Sequence, residues 1–134
     1  MNLLTLPGIT TAIAATAGQI VKYNAKVLAL SLQANLVYSG GGTSVDAYVQ
    51  STLDGGVTWF DIANFHFTTS SAIKQYNLSG QTPVTTARTP SDGSLASNTS
   101  LDGIWGNWFR AKYVIVGTYT GINTLSVDMG VDLA

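Results

Sequence analysis

Seven carboxylates and one imidazole are the only side chains in these 134 residues suited to general acid, general base or metal-ligand work near neutral pH, and every acid is Asp. An imidazole shuttles protons or binds metals, but His66 has no second His, no Cys and no Glu with which to complete the commonest zinc sets. His66 is therefore read as a structural or surface residue of the strand that carries Phe65 and Phe67. Asp46, Asp54 and Asp61 flank one turn and could meet across it as oxygen ligands for calcium. Their spacing does not match an EF-hand, and turn hydrogen bonding explains Asp54 more simply. Two carboxylates at the right separation hydrolyse glycosides, yet Asp128 and Asp132 alternate along one polar strand face, where solubility accounts for them. No nucleophile elbow sets a serine beside His66. No catalytic residue, cofactor or metal site is expected, and the chain is read as a non-enzyme.

Trp105, Trp108 and Phe109 form the densest aromatic group. Such rings anchor a loop or core, bury in a protein interface, or stack on sugar, and their spacing leaves all three uses open. Arg88, Arg110 and Lys112 are too sparse for a nucleic-acid surface. Six basic residues face seven acidic ones, and charged residues make up 10% of the chain, against about 25% in an ordinary soluble domain. Polarity comes instead from Thr, Ser and Asn, which solvate a surface without charge repulsion and are buried against neighbours at lower desolvation cost than Lys or Glu. Assembly with other proteins or with copies of itself is one reading; a weakly charged β protein is the other. With no cysteine, disulfides and thiolate chemistry are excluded. No apolar run approaches the ~20 residues that span a bilayer.

The elements that must position these residues read as strands. Leu28, Leu30, Leu32, Ala34 and Leu36 share one face against Ser31, Gln33 and Asn35. Three glycines, 40–42, end that strand. Val45, Ala47 and Val49 then alternate with Asp46, Tyr48 and Gln50 before the turn at Asp54, Gly55 and Gly56, where a short carboxylate precedes two residues free to take positive φ. The return strand, 59–67, has less distinct faces, as burial on both sides or cover from the N-terminal segment would produce. Further strands are expected near 72–78, 109–117 and 125–133. Residues 79–103 show no period and read as an exposed functional loop or as short unresolved strands. The fold class is all-β, an antiparallel β-sandwich of immunoglobulin-like or jelly-roll kind. Residues 1–25 are expected as an N-terminal arm, capping segment or short helix, and 26–134 as the sandwich domain.

Two resemblances follow from particular residues. Thr52-Leu53-Asp54-Gly55-Gly56-Val57-Thr58-Trp59 resembles the Asp-box of sialidases and related repeat proteins, a structural hairpin remote from catalysis. It implies that Asp54 braces the turn, Gly56 permits it and Trp59 packs beneath. One copy implies no propeller. The order VDAYVQSTLDGGVTWFDIANFHF at 45–67, KQYNL at 74–78, PVTTARTP at 83–90, WFRAKY at 108–113 and LSVDMGVD at 125–132 is similar to β-rich structural proteins of tailed bacteriophage virions. That resemblance implies a capsid decoration or stabilising protein on the outer shell, assembled in the host cytoplasm. The major capsid protein or other virion proteins would be its partners, in homo-oligomeric or lattice-bound copies, with no nucleic acid or membrane contact. A head–tail connector or tail component, and a carbohydrate-binding β module, are the alternatives. The interface is expected to draw on Leu3, Leu4, Leu6, Arg88, Trp105, Trp108 and Phe109.

Overall fold

Period-two alternation needs a sheet with one buried face, and the computed structural model, which describes residues 1–134, consists of strands without a helix. In chain order these are β1 (Asn2–Leu6), β2 (Ile13–Ala17), β3 (Val21–Lys22), β4 (Val27–Val37), β5 (Gly40–Gly41) and β6 (Ser44–Thr52). They continue as β7 (Phe60–Phe67), β8 (Ala72–Ser79), β9 (Trp108–Val116), β10 (Tyr119–Thr120) and β11 (Thr124–Leu133). One sheet has the order β1-β11-β4-β8. A second has the order β2-β9-β6-β7, with β3 also on β9, and β5 and β10 form a small ribbon. Every pairing is antiparallel. The inner faces of the two larger sheets share one core, which joins Leu30, Leu32 and Leu36 of β4 and Val127 of β11 to Val45, Val49, Phe65 and Phe109.

The first 25 residues do not form an arm or a helix. β1 pairs with β11, and β2 and β3 pair with β9, so the segment crosses from one sheet to the other. Its Leu3, Leu4 and Ile9 are buried in the shared core. Small Thr and Ala side chains on β2 line an exposed edge and give no inside–outside contrast, which is why no strand period is visible there.

Two bulges shift the side-chain phase. Where β6 meets β7, Val49 pairs Ala63 but Gln50 pairs Asp61, leaving Ile62 as the extra residue. Ile62 and Ala63 therefore both enter the core, which is the reason the faces of this strand do not separate in the sequence. Where β4 meets β11, Asp132 pairs Ala29 and Leu133 pairs Val27. Val27 is buried in consequence and Leu28 only partly so, although Leu28 reads as a core position.

Cover for β7 comes from residues 91–101 rather than from the N-terminus. The Asp61 and Asn64 N–H groups donate to Ser91 O and Thr99 O, and Leu101 N–H donates to Ile62 O, with a single bridge between Ala63 and Ser100. The aperiodic loop thus satisfies the backbone of an edge strand that would otherwise be free.

Candidate protein interface at the hairpin end

The turn after β6 is built by local hydrogen bonds. Gly55 and Gly56 sit at φ +70° and +92°, a region that costs an ordinary side chain strain. Thr52 Oγ1 donates to Asp54 Oδ1 at 2.9 Å and accepts from Gly56 N–H at 3.0 Å, while Thr58 N–H donates to Asp54 Oδ1 at 2.7 Å. That Thr58 N–H, together with side-chain bonds from Thr58 and Thr52, holds the Asp54 carboxyl below the usual carboxylate range. Trp59 lies nearly buried under the turn, and the Arg110 guanidinium stacks 4.3 Å from its ring centre. A turn so constrained presents Leu53 and Val57 to solvent, 66% and 85% exposed.

Around Leu53 three depressions adjoin. The first, about 220 Å³, is walled by Phe60, Pro90, Leu101 and Ile104, with Arg88 at its side. The second, about 260 Å³, lies between Lys26, Ile104 and Trp105. The third, about 420 Å³, is bounded by Gly55, Trp105 and Trp108. An exposed aliphatic crest between shallow hollows suits a protein contact, because a partner's side chains fill the hollows while the crest enters its own. A larger hollow, about 680 Å³, lies on the outer face of the β1-β11-β4-β8 sheet. Its walls mix Gln33, Gln75, Asn77 and Asp128 with Met1 and Tyr76, and the Gln75 amide donates to Gln33 Oε1 at 2.7 Å.

The sequence-predicted residues divide. Asp54, Gly55, Gly56, Trp105, Trp108 and Arg88 gather at the hairpin end, with Trp59 beneath the turn. Phe109 does not belong with them: it is fully buried and packs edge-on against Tyr23 in the core. Leu3 and Leu4 are core residues of β1, and Leu6 is half-buried on the same strand, so none of the three joins this crest. The hydrophobic effect explains the difference, since aliphatic residues that read as adaptable contacts gain more from burial against β11 and β9 than from waiting for a partner.

Both indoles also hold structure together. Trp105 Nε1 donates to Val27 O at 2.8 Å and its ring lies against Gly80, where a Cβ would come within 2.8 Å of Cζ2. Lys22 Nζ sits 3.9 Å over the Trp108 ring. Both rings stay partly exposed, since each also borders the third hollow. Arg88 is half-buried, donating from Nη1 to Asp102 O at 3.0 Å, and joins no ion pair.

The three turn-flanking carboxylates stay apart. Asp54 serves the turn, Asp46 faces His66 Nδ1 at 2.8 Å, and Asp61 is 2% exposed in a different network. No group of three or more His, Cys, Asp or Glu side chains has metal-binding geometry. Asp61 anchors the long loop, which sequence reasoning missed. Its carboxylate accepts from Gln50 Nε2 at 2.8 Å, Ser91 Oγ at 2.9 Å and the successive N–H groups of Gly93, Ser94 and Leu95 at 2.9–3.0 Å. Those donors replace the water that a buried carboxylate loses. Gln50 also donates to Asp92, which Lys112 Nζ meets at 2.9 Å, and Gln50 Oε1 accepts from Arg110 Nε. Burial pushes the Asp92 carboxyl up, but hydrogen bonds from Lys112 and Gln50 and the Lys112 and Arg110 charges outweigh it and leave it below its usual range. A polar residue within an otherwise apolar run, as Asp61 is between Phe60 and Ile62, was the available signal.

Compared with family models, curated proteins and solved structures, the chain matches none.

Proposed function

We propose that this protein is a non-enzymatic structural component of a tailed-phage virion, acting as a decoration protein that binds the outside of the capsid and stabilises contacts between shell subunits. The observation that carries the protein-binding part of this reading is the exposed Leu53 crest with hollows on three sides, held by a turn too constrained to collapse onto the core. The two sheets and their shared core are read as a β-sandwich, immunoglobulin-like or jelly-roll, that serves as a rigid platform. The virion setting rests on the resemblance of residues 45–67, 74–78, 83–90, 108–113 and 125–132 to phage structural proteins. On a lattice, a modest contact is repeated many times, so the summed stabilisation grows without any single site being strong. A head–tail connector or tail component would use the same crest within a ring.

Electron microscopy of intact particles of the encoding phage separates these placements. Density over many equivalent shell positions is expected. Density confined to the neck or tail, or absence from the particle, would contradict decoration.

A further inference from the structure

Gly130 stands within β11, where a glycine weakens a strand. The usual structural reasons for one do not apply. Its φ is not positive, the pairing with β4 runs without a shift from Thr124 to Asp132, and a Cβ there would meet only Ser31 Cβ, at an ordinary 3.9 Å. The fold would accept a side chain at 130, and the lack of one opens the hollow of about 680 Å³ on the outer face of the β1-β11-β4-β8 sheet. What remains as a reason for glycine inside a strand is close approach by something from outside the chain. The side chains around the hollow are ordered and only half engaged. Register aligns Asp128, Gln33 and Gln75 in one row across three strands, and Gly130, Ser31 and Asn77 in the next. Gln75 Nε2 donates to Gln33 Oε1 at 2.7 Å, and Asn2 Nδ2 donates to Asp128 Oδ1 at 3.1 Å. These bonds fix the row and leave Gln33 Nε2, Gln75 Oε1, Asp128 Oδ2 and the Ser31 and Asn77 side chains without a partner in the protein.

We propose that this hollow binds a short neutral oligosaccharide. A sugar hydroxyl both donates and accepts, so adjacent hydroxyls pair with an amide N–H and with a neighbouring carbonyl or carboxylate oxygen. The row of Asp128, Gln33 and Gln75 spans about 10 Å at ordinary strand spacing, longer than one sugar ring, and the volume is that of a ligand site. The exposed Met1 side chain supplies an apolar wall for the C–H face of a ring. Other ligand classes fit less well. These strands turn no Lys or Arg side chain to this face, since Lys74, the single one on them, points away to His66 O and Asn98 Oδ1. The Met1 ammonium is engaged by Met129 O at 2.9 Å. An anion would therefore meet the Asp128 carboxylate with no side-chain cation to offset it. A polypeptide adding as a strand needs an open backbone edge, and β4 and β11 are paired on both sides. An apolar ligand would cut the amides off from water without bonding them.

The inference goes beyond the virion reading and uses no residue of the Leu53 crest, so titration of the isolated chain and microscopy of particles succeed or fail separately. The test is an amide NMR titration of the isotope-labelled full chain with cellotriose, maltotriose, mannotriose and N-acetylchitotriose, each to about 10 mM. At least one is expected to give saturable shifts centred on residues 31–33, 75–77 and 128–130, whereas trigalacturonate, a charged trisaccharide, gives none there. Gly130→Leu, which fills the hollow, and Gln33→Ala, which removes a wall, should each raise the dissociation constant at least about tenfold. Both positions lie on the outer face of the sheet, so both variants should keep the wild-type circular dichroism. Absence of saturable shifts with all four neutral probes, shifts centred on Trp105 and Trp108 instead, equal binding of trigalacturonate, or undiminished affinity in either folded variant would overturn the assignment.

Discussion

Gly56 shows how much of the hairpin end depends on one backbone angle. At φ +92° a β-branched residue is strained even though the nearest atom to a Cβ there, Trp108 Cζ3, is at an ordinary 3.5 Å. Gly56→Val is expected to lower unfolding free energy by about 1–3 kcal/mol, read by urea denaturation; an unchanged midpoint and slope would mean that the turn relaxes at no cost. The depressed carboxyls of Asp54 and Asp92 set a pH dependence of definite sign. Each binds its proton less readily folded than unfolded, so its contribution is present above the ordinary carboxylate range and is lost as pH falls through the folded value. Stability should therefore decline below about pH 4. Asp92→Asn should be less stable than the wild type at neutral pH and converge on it in acid. A gap that stays constant with pH would contradict the ion-paired role of Asp92.

At the level of elements, the long loop behaves as part of the β2-β9-β6-β7 sheet because one buried carboxylate gathers its N–H groups. Asp61→Ala removes the acceptor for Ser91, Gly93, Ser94 and Leu95 together. A loss of about 1–3 kcal/mol is expected, with faster hydrogen exchange at residues 93–95 than in the β4 and β11 amides. Unchanged exchange at 93–95 would show that the loop is held by other contacts. The strands from β4 through β11 that carry five or more residues were legible, since Leu30 to Leu36 and Leu125 to Met129 alternate over enough positions to stand out. The bulge at Ile62 and the pairings of β1 with β11 and of β2 and β3 with β9 were not. A bulge is a registry between two strands, and β2 has small side chains with nothing to contrast. The partners of Asp61 lie about thirty residues away, so no local pattern announces them. For the candidate site, Asp54, Gly55 and Gly56 were legible from turn chemistry, whereas Leu53, at the centre of the crest, gave no sign because exposure is decided by the fold.

At the scale of the whole molecule, the two ends of the sheets differ in kind. One carries the constrained turn, two indoles, Lys22, Lys26 and Arg88 around an aliphatic crest; the other is hydroxyl-rich and uncharged. Between them the shared core runs through both large sheets and takes in residues from β1 to β11. On the proposed virion role, the hairpin end is the face that would meet the shell. Electron microscopy of intact particles, at a resolution that orients the two sheets, tests that account most directly. The predicted result is density at many equivalent shell positions with the 52–59 turn and Leu53 against the shell. Density at the neck or tail alone, no density on the particle, or copies whose hairpin end points to solvent would contradict it.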